Sequence, residues 1–119
     1  MLAVDDSHTI RTAIKIALEP AGFSITLAAD GEEALGALSA ERRFDLIITD
    51  LHMPKLDGIA LIKAVRSNPF YRFTPILMLT TESQAEKKDE GRKAGATGWI
   101  VKPFQPEQLM AVVRKLIRV

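Results

Sequence analysis

The chain has 119 residues, 47% of them hydrophobic, and a formal net charge of +1. That suits one domain with one core and argues for neither a nucleic-acid binder nor an acidic tail. No apolar run approaches the ~20 residues of a membrane span, the start "MLAVDD" lacks the features of a secretory signal, and the absence of cysteine excludes disulfides and thiolate metal sites. A cytoplasmic protein that works without membrane or nucleic acid is the expectation.

The first apolar run, residues 2–4, reads as a strand that stops at Asp5-Asp6. Ser7 follows as a helix cap. Ile10, Ala13, Ile14, Ala17 and Leu18 then fall at i, i+3, i+4, i+7 and i+8, the spacing of a helix with one buried stripe. Pro20 should end or kink this helix just before it, and Gly22 sits where the helix should stop. Residues 23–28 read as a second strand. Asp30 with Glu33 has capping-box spacing and opens a second helix. A third strand, 44–49, ends on Asp50, and Asp57 can cap a third helix. A fourth strand, 75–80, ends in Thr80-Thr81.

The fourth helix, roughly 82–94, reads "ESQAEKKDEGRKA". It has almost no apolar stripe, and its internal Gly91 costs about 1 kcal/mol against alanine. It should therefore be the least firmly held of the five helices. Gly95 ends it, a fifth strand spans 97–101, and Lys102-Pro103 follow. Pro106 fits the first turn of the last helix, although Gln105 is a weak cap. Leu109, Val112, Val113, Leu116 and Ile117 repeat the amphipathic spacing.

Strands alternating with helices predict an α/β domain, a parallel sheet covered on both faces. With right-handed crossovers, five strands favour a doubly wound, flavodoxin-like sheet in the order 2-1-3-4-5 with five helices. Ligands then bind beyond the carboxyl ends of the strands. In that order Asp5-Asp6, Asp50, Thr80-Thr81 and Lys102-Pro103 meet along one edge. Taken singly, each is an ordinary turn, loop or solvated residue; together on one rim they point to a site.

Three carboxylates brought close together repel, so one takes a proton or a cation sits among them. Oxygen ligands suit a hard divalent ion such as Mg²⁺, which commonly meets one or two carboxylates and a phosphate. Lys102 adds a positive point charge and Thr80 a hydroxyl. These are the groups that neutralise a phosphoryl group in transfer, so Asp50 reads as a nucleophile that accepts phosphate.

The motifs "VDDS" at 4–7, "DLHMPKLDG" at 50–58, "LTTE" at 79–82 and "WIVKPF" at 99–104 occur in that order. With them the whole chain, 1–119, resembles a response-regulator receiver domain, most closely a single-domain chemotaxis regulator of the CheY kind. The resemblance implies that Asp50 is the phospho-acceptor and a ligand of Mg²⁺, or of Mn²⁺ in its place. Asp6 would bind the metal directly, Asp5 mostly through water, and His52 through its backbone carbonyl. Thr80 and Lys102 would contact the phosphoryl group, and the Lys102–Pro103 peptide would be cis. Trp99 would be the switch aromatic, turning inward as Thr80 moves, while His52, Thr81 and Glu82 would tune the lifetime of the phosphate.

The implied partners are a sensor histidine kinase as phosphodonor, a flagellar motor switch protein or other output protein, and a phosphatase. The chain itself would be a monomer whose fourth helix, fifth strand and last helix form the output face. Rival readings are a phosphorelay or excised receiver domain and, from another class, an aspartyl-phosphate phosphatase acting on an external substrate. The latter usually carries a second acid two residues after its nucleophile, where this chain has His52. Nucleotide or flavin binding lacks its glycine motifs.

Overall fold

In a computed structural model of the chain, residues 1–39, 44–51, 57–81 and 85–117 are described, apart from the side chains of 85–87. Among them five parallel strands form one sheet in the order β2-β1-β3-β4-β5. The elements in chain order are β1 (Leu2–Val4), α1 (His8–Leu18), β2 (Thr26–Ala28), α2 (Gly31–Ser39), β3 (Ile47–Asp50), α3 (Gly58–Ser67), β4 (Ile76–Thr80), α4 (Ala85–Ala94), β5 (Gly98–Val101) and α5 (Pro106–Leu116). The doubly wound order expected from the alternation is the one observed.

The strand period of two divides the core into two layers. Leu2, Val4, Ile47, Ile76 and Met78 face one way and pack with Ala34, Leu38, Leu61, Ile62 and Val65 of α2 and α3. Ala3, Ile48, Leu77 and Leu79 face the other way, onto Ile14 and Leu18 of α1 and Leu109 and Val113 of α5. Both faces are covered, so β1, β3 and β4 are buried throughout, as expected for the centre of a parallel sheet.

Four strands begin later than expected, β4 and β5 by a single residue, at Ile76 and Gly98, and β2 and β3 by three. β2 begins at Thr26, not residue 23, because its ladder partner β1 begins only at Leu2; the Thr26 N–H meets the Met1 carbonyl at 2.8 Å. Phe23 and Ile25 lie outside the ladder but still pack on the α1/α5 layer. β3 begins at Ile47, not residue 44, and runs one residue further, onto Asp50, which pairs with Leu79. Phe44 is nonetheless buried, its ring stacked 6.3 Å from that of Tyr71.

The helix signals act as read. The Ser7 Oγ accepts the Ile10 N–H at 3.3 Å, and the Asp57 Oδ1 accepts the Ala60 N–H at 2.8 Å. Asp30 Oδ1 accepts the Glu33 N–H at 2.9 Å, while the Glu33 carboxylate reaches back to the N–H of Ala29, one residue before the cap. Pro20 closes α1 at Leu18 and turns the chain into a 3₁₀ turn, which Gly22 ends at φ 95°. At α5 the cap is weak: the Gln105 N–H reaches the Gln108 Oε1 at 3.5 Å.

α4 holds by small residues rather than by a stripe. Gly91 is buried, and a Cβ there would collide with the Met78 sulfur. Ala94, and Ala96 beyond the helix, pack on the α2/α3 layer. The C-terminal end is tied down as well. Arg66 of α3 donates through Nε and Nη2 to the Gly95 carbonyl, at 3.0 and 2.8 Å. Through Nη1 it reaches the carbonyls of Tyr71, Arg72 and Thr74.

Candidate functional site

The carboxyl ends of β1 and β3 bring Asp5, Asp6 and Asp50 together, each offering a carboxylate oxygen within 4.8 Å of the others. Asp5 and Asp50 are buried and Asp6 is exposed, so the cluster opens to solvent on the Asp6 side. Asp5 continues the β1 edge, its N–H meeting the Ala28 carbonyl at 3.1 Å. Its Oδ1 accepts the Ser7 N–H at 2.9 Å, a local turn that Asp makes readily. Asp50 Oδ1 accepts the Leu51 N–H at 2.8 Å. Gly58 stands against this turn, where a side chain would collide with the Asp50 carbonyl.

Lys102 enters from the end of β5. Its Nζ lies 2.9 Å from Asp5 Oδ2 and 3.1 Å from Asp50 Oδ2, joining residues 97 positions apart in the chain. The Lys102–Pro103 peptide is cis, and the Lys102 N–H meets the Thr80 carbonyl at 2.6 Å. Burial pushes the Asp5 carboxyl above its ordinary value, and the Asp50 charge adds to that push, against the downward pull of the Ser7 N–H and Lys102. For Lys102 burial pulls the other way, but the two carboxylates together outweigh it and hold the ammonium above its ordinary value. One lysine against three acids leaves the cluster short of positive charge. Its all-oxygen donor set and close spacing fit a hard divalent cation.

The remaining expected residues are placed as follows. Thr80 ends β4, buried, its hydroxyl 3.4 Å from the Ile100 carbonyl, and Thr81 is exposed beside it. Trp99 lies on β5, paired across the sheet with Met78. It is 41% exposed, with the Lys88 ammonium of α4 4.5 Å from its ring centroid, a cation–π distance. His52 and Glu82 lie outside the described residues. Two contacts were not read from the sequence: Lys88 on Trp99, and Arg11, whose guanidinium donates to the Asp5 carbonyl at 2.6 Å. An arginine in the helix just after an acidic turn was the available signal for the second.

Comparison with known proteins agrees with this geometry. The model of the family described as "Response regulator receiver domain" matches residues 1–114. Chemotaxis protein CheY1 of Helicobacter pylori is 41% identical over 110 residues, covering 92% of this chain and 89% of that protein. The structure of the chemotaxis response regulator CheY4 of Vibrio cholerae superposes with a TM-score of 0.89 at 52% identity, covering 97% of this chain and 95% of that one. The receiver domain of the sensor histidine kinase PA1611 from Pseudomonas aeruginosa PAO1, solved with a magnesium ion coordinated in the active site cleft, has a TM-score of 0.89 at 29% identity, covering 99% of this chain and 96% of that one. The chain spans about half the length, 48%, of two transcriptional regulators of Bacillus subtilis that are 39% and 37% identical to it.

Proposed function

The chain belongs to the response regulator receiver domain family, and from that premise we propose that Asp50 is its phospho-acceptor, charged by a sensor histidine kinase in a chemotaxis pathway. A receiver domain of this kind is a phospho-accepting signalling switch, not an enzyme acting on an external substrate. The observation that carries the assignment to Asp50 is its place at the end of β3. It is nearly buried, within reach of two further carboxylates and paired with Lys102 at 3.1 Å.

In the proposed transfer a carboxylate oxygen of Asp50 forms the new bond to phosphorus as the bond from phosphorus to the donor nitrogen breaks. Asp5, Asp6 and Asp50 would hold Mg²⁺, or Mn²⁺, with the His52 backbone carbonyl as a further ligand. The ion, when bound, offsets the charge of the acids and of the phosphoryl oxygens. Lys102 supplies a positive charge beside the receiving oxygen. Thr80 would donate its hydroxyl to a phosphoryl oxygen in place of the Ile100 carbonyl, and Trp99 would follow that movement inward. His52, Thr81 and Glu82 would set the lifetime of the adduct. The output face is then α4, β5 and α5, read by a flagellar motor switch protein; the likeness to two chemotaxis regulators, each covered nearly whole, supports that partner.

A second reading, a receiver that serves a longer regulator or a phosphorelay, draws on the transcriptional regulators of which the chain spans about half. Incubation with Mg²⁺ and acetyl phosphate, followed by intact mass, tests the first step. A single phosphate adduct is expected, and it should vanish in Asp50→Asn; an adduct of the same yield in Asp50→Asn would overturn the assignment. Pull-down of the motor switch protein only after phosphorylation supports chemotaxis, whereas transfer onward to a histidine phosphotransfer domain supports the relay.

A further inference from the structure

We propose that Arg11 is a positioning residue for the cation site, holding the Asp5–Asp6 peptide so that the Asp6 carboxylate stays with those of Asp5 and Asp50. The inference rests on the reading above that these three acids hold a divalent cation. Asp5 is anchored on every polar atom: its N–H on the Ala28 carbonyl, Oδ1 on the Ser7 N–H and Oδ2 on Lys102. Its carbonyl belongs to the peptide that leads into Asp6, and that carbonyl takes the Arg11 Nη1 at 2.6 Å. Asp6 is the exposed member of the cluster, and the orientation of this peptide sets the backbone position from which its side chain reaches the other two carboxylates.

Arg11 is well suited to the task. Its own N–H closes the first helical turn on the Ser7 carbonyl at 3.0 Å, and Ser7 caps the same helix. The guanidinium therefore starts from a rigid base and reaches back six residues. A charged donor makes a short, strong bond to a carbonyl. Partners of this kind, one step removed from a metal, commonly change its affinity by about 10–100-fold when lost.

The sign of the effect separates this role from simple charge. Arg11 is a cation near a cation site, so by Coulomb's law alone its removal should tighten metal binding. Positioning demands the opposite. Mn²⁺ titration, with the free ion counted by its EPR signal, is to be run on the wild type, Arg11→Met and Arg11→Lys, beside thermal unfolding without metal. Arg11→Met should bind Mn²⁺ about tenfold more weakly, and Arg11→Lys, which keeps a charged donor, should recover most of that loss. Equal or tighter binding by Arg11→Met overturns the proposal. So does equal weakening in both variants alongside equal losses of thermal midpoint, which would mark a structural role only. Absence of saturable Mn²⁺ binding in the wild type would instead sink the cation reading itself.

Discussion

Lys102 stands between two acids that would otherwise face each other in a buried place. Asp5 has no exposed side-chain surface and Lys102 keeps 16%, so the pair is much less screened than a surface ion pair. Lys102→Met should therefore destabilise the metal-free protein by about 3 kcal/mol, the low end for breaking a buried pair, as read by denaturant unfolding at neutral pH. Added Mg²⁺ should restore part of that loss by offsetting the same carboxylates. The folded state raises the affinity of Lys102 for its proton, so its contribution is fully present below the ordinary lysine value of 10.5. It is lost as pH rises through the folded value. The gap between wild type and Lys102→Met should thus stay flat from neutral pH to about pH 10 and shrink above it. Asp5, also raised, has the same sign: its contribution is present below 3.8 and is lost as pH rises, so its ionisation at neutral pH opposes folding. The sequence named these residues by their places at strand ends. It held no trace of Lys102 sitting 2.9 Å from Asp5 Oδ2, because that distance depends on how far the end of β5 stands from β1 in three dimensions.

At the scale of elements, α4 shows how a polar helix can still dock. Its sequence lacks a stripe, and by helix propensity alone Gly91 is only a cost. In the fold Gly91 is where α4 meets Met78 of β4. Gly91→Ala should gain about 1 kcal/mol of helix propensity and lose about 1–3 kcal/mol to overpacking, for a net loss of up to about 2 kcal/mol, read by thermal or denaturant unfolding. In a Met78→Ala background the same substitution should turn neutral or stabilising, since the new methyl fills space the sulfur has left; a double-mutant cycle reads that coupling. Held by Gly91, Ala94 and the Arg66 bonds to Gly95, the C-terminal half of α4 is fixed. Towards its N-terminal half, Lys88 lies on Trp99. The expectation of a weakly held helix is thus qualified by close packing, which hydrophobic periodicity does not register, because glycine carries no side chain to count.

For the molecule as a whole, a sheet covered on both sides leaves its carboxyl edge as the place where polar groups from distant segments meet. A divalent cation bound there would join the ends of β1 and β3 and should stabilise the whole fold by mass action. At a free Mg²⁺ concentration 100 times its dissociation constant the gain is about 2.7 kcal/mol, a rise in thermal midpoint of roughly 10 °C for a domain of this size. Calorimetry should show that rise in the wild type, and most of it should be absent from Asp50→Asn.

The class of fold, the strand order, most helix starts and the set of residues that end the strands are legible in the chain alone, because each is written in local period, capping chemistry and the small number of allowed crossovers. What those residues touch emerges only when the layers pack. That Lys102 is shared by Asp5 and Asp50, that Arg11 reaches back to the Asp5 carbonyl, that Gly91 admits Met78 and that Lys88 covers Trp99 all depend on distances between elements. Those distances follow from the packing of whole layers, and no window of neighbouring residues carries them.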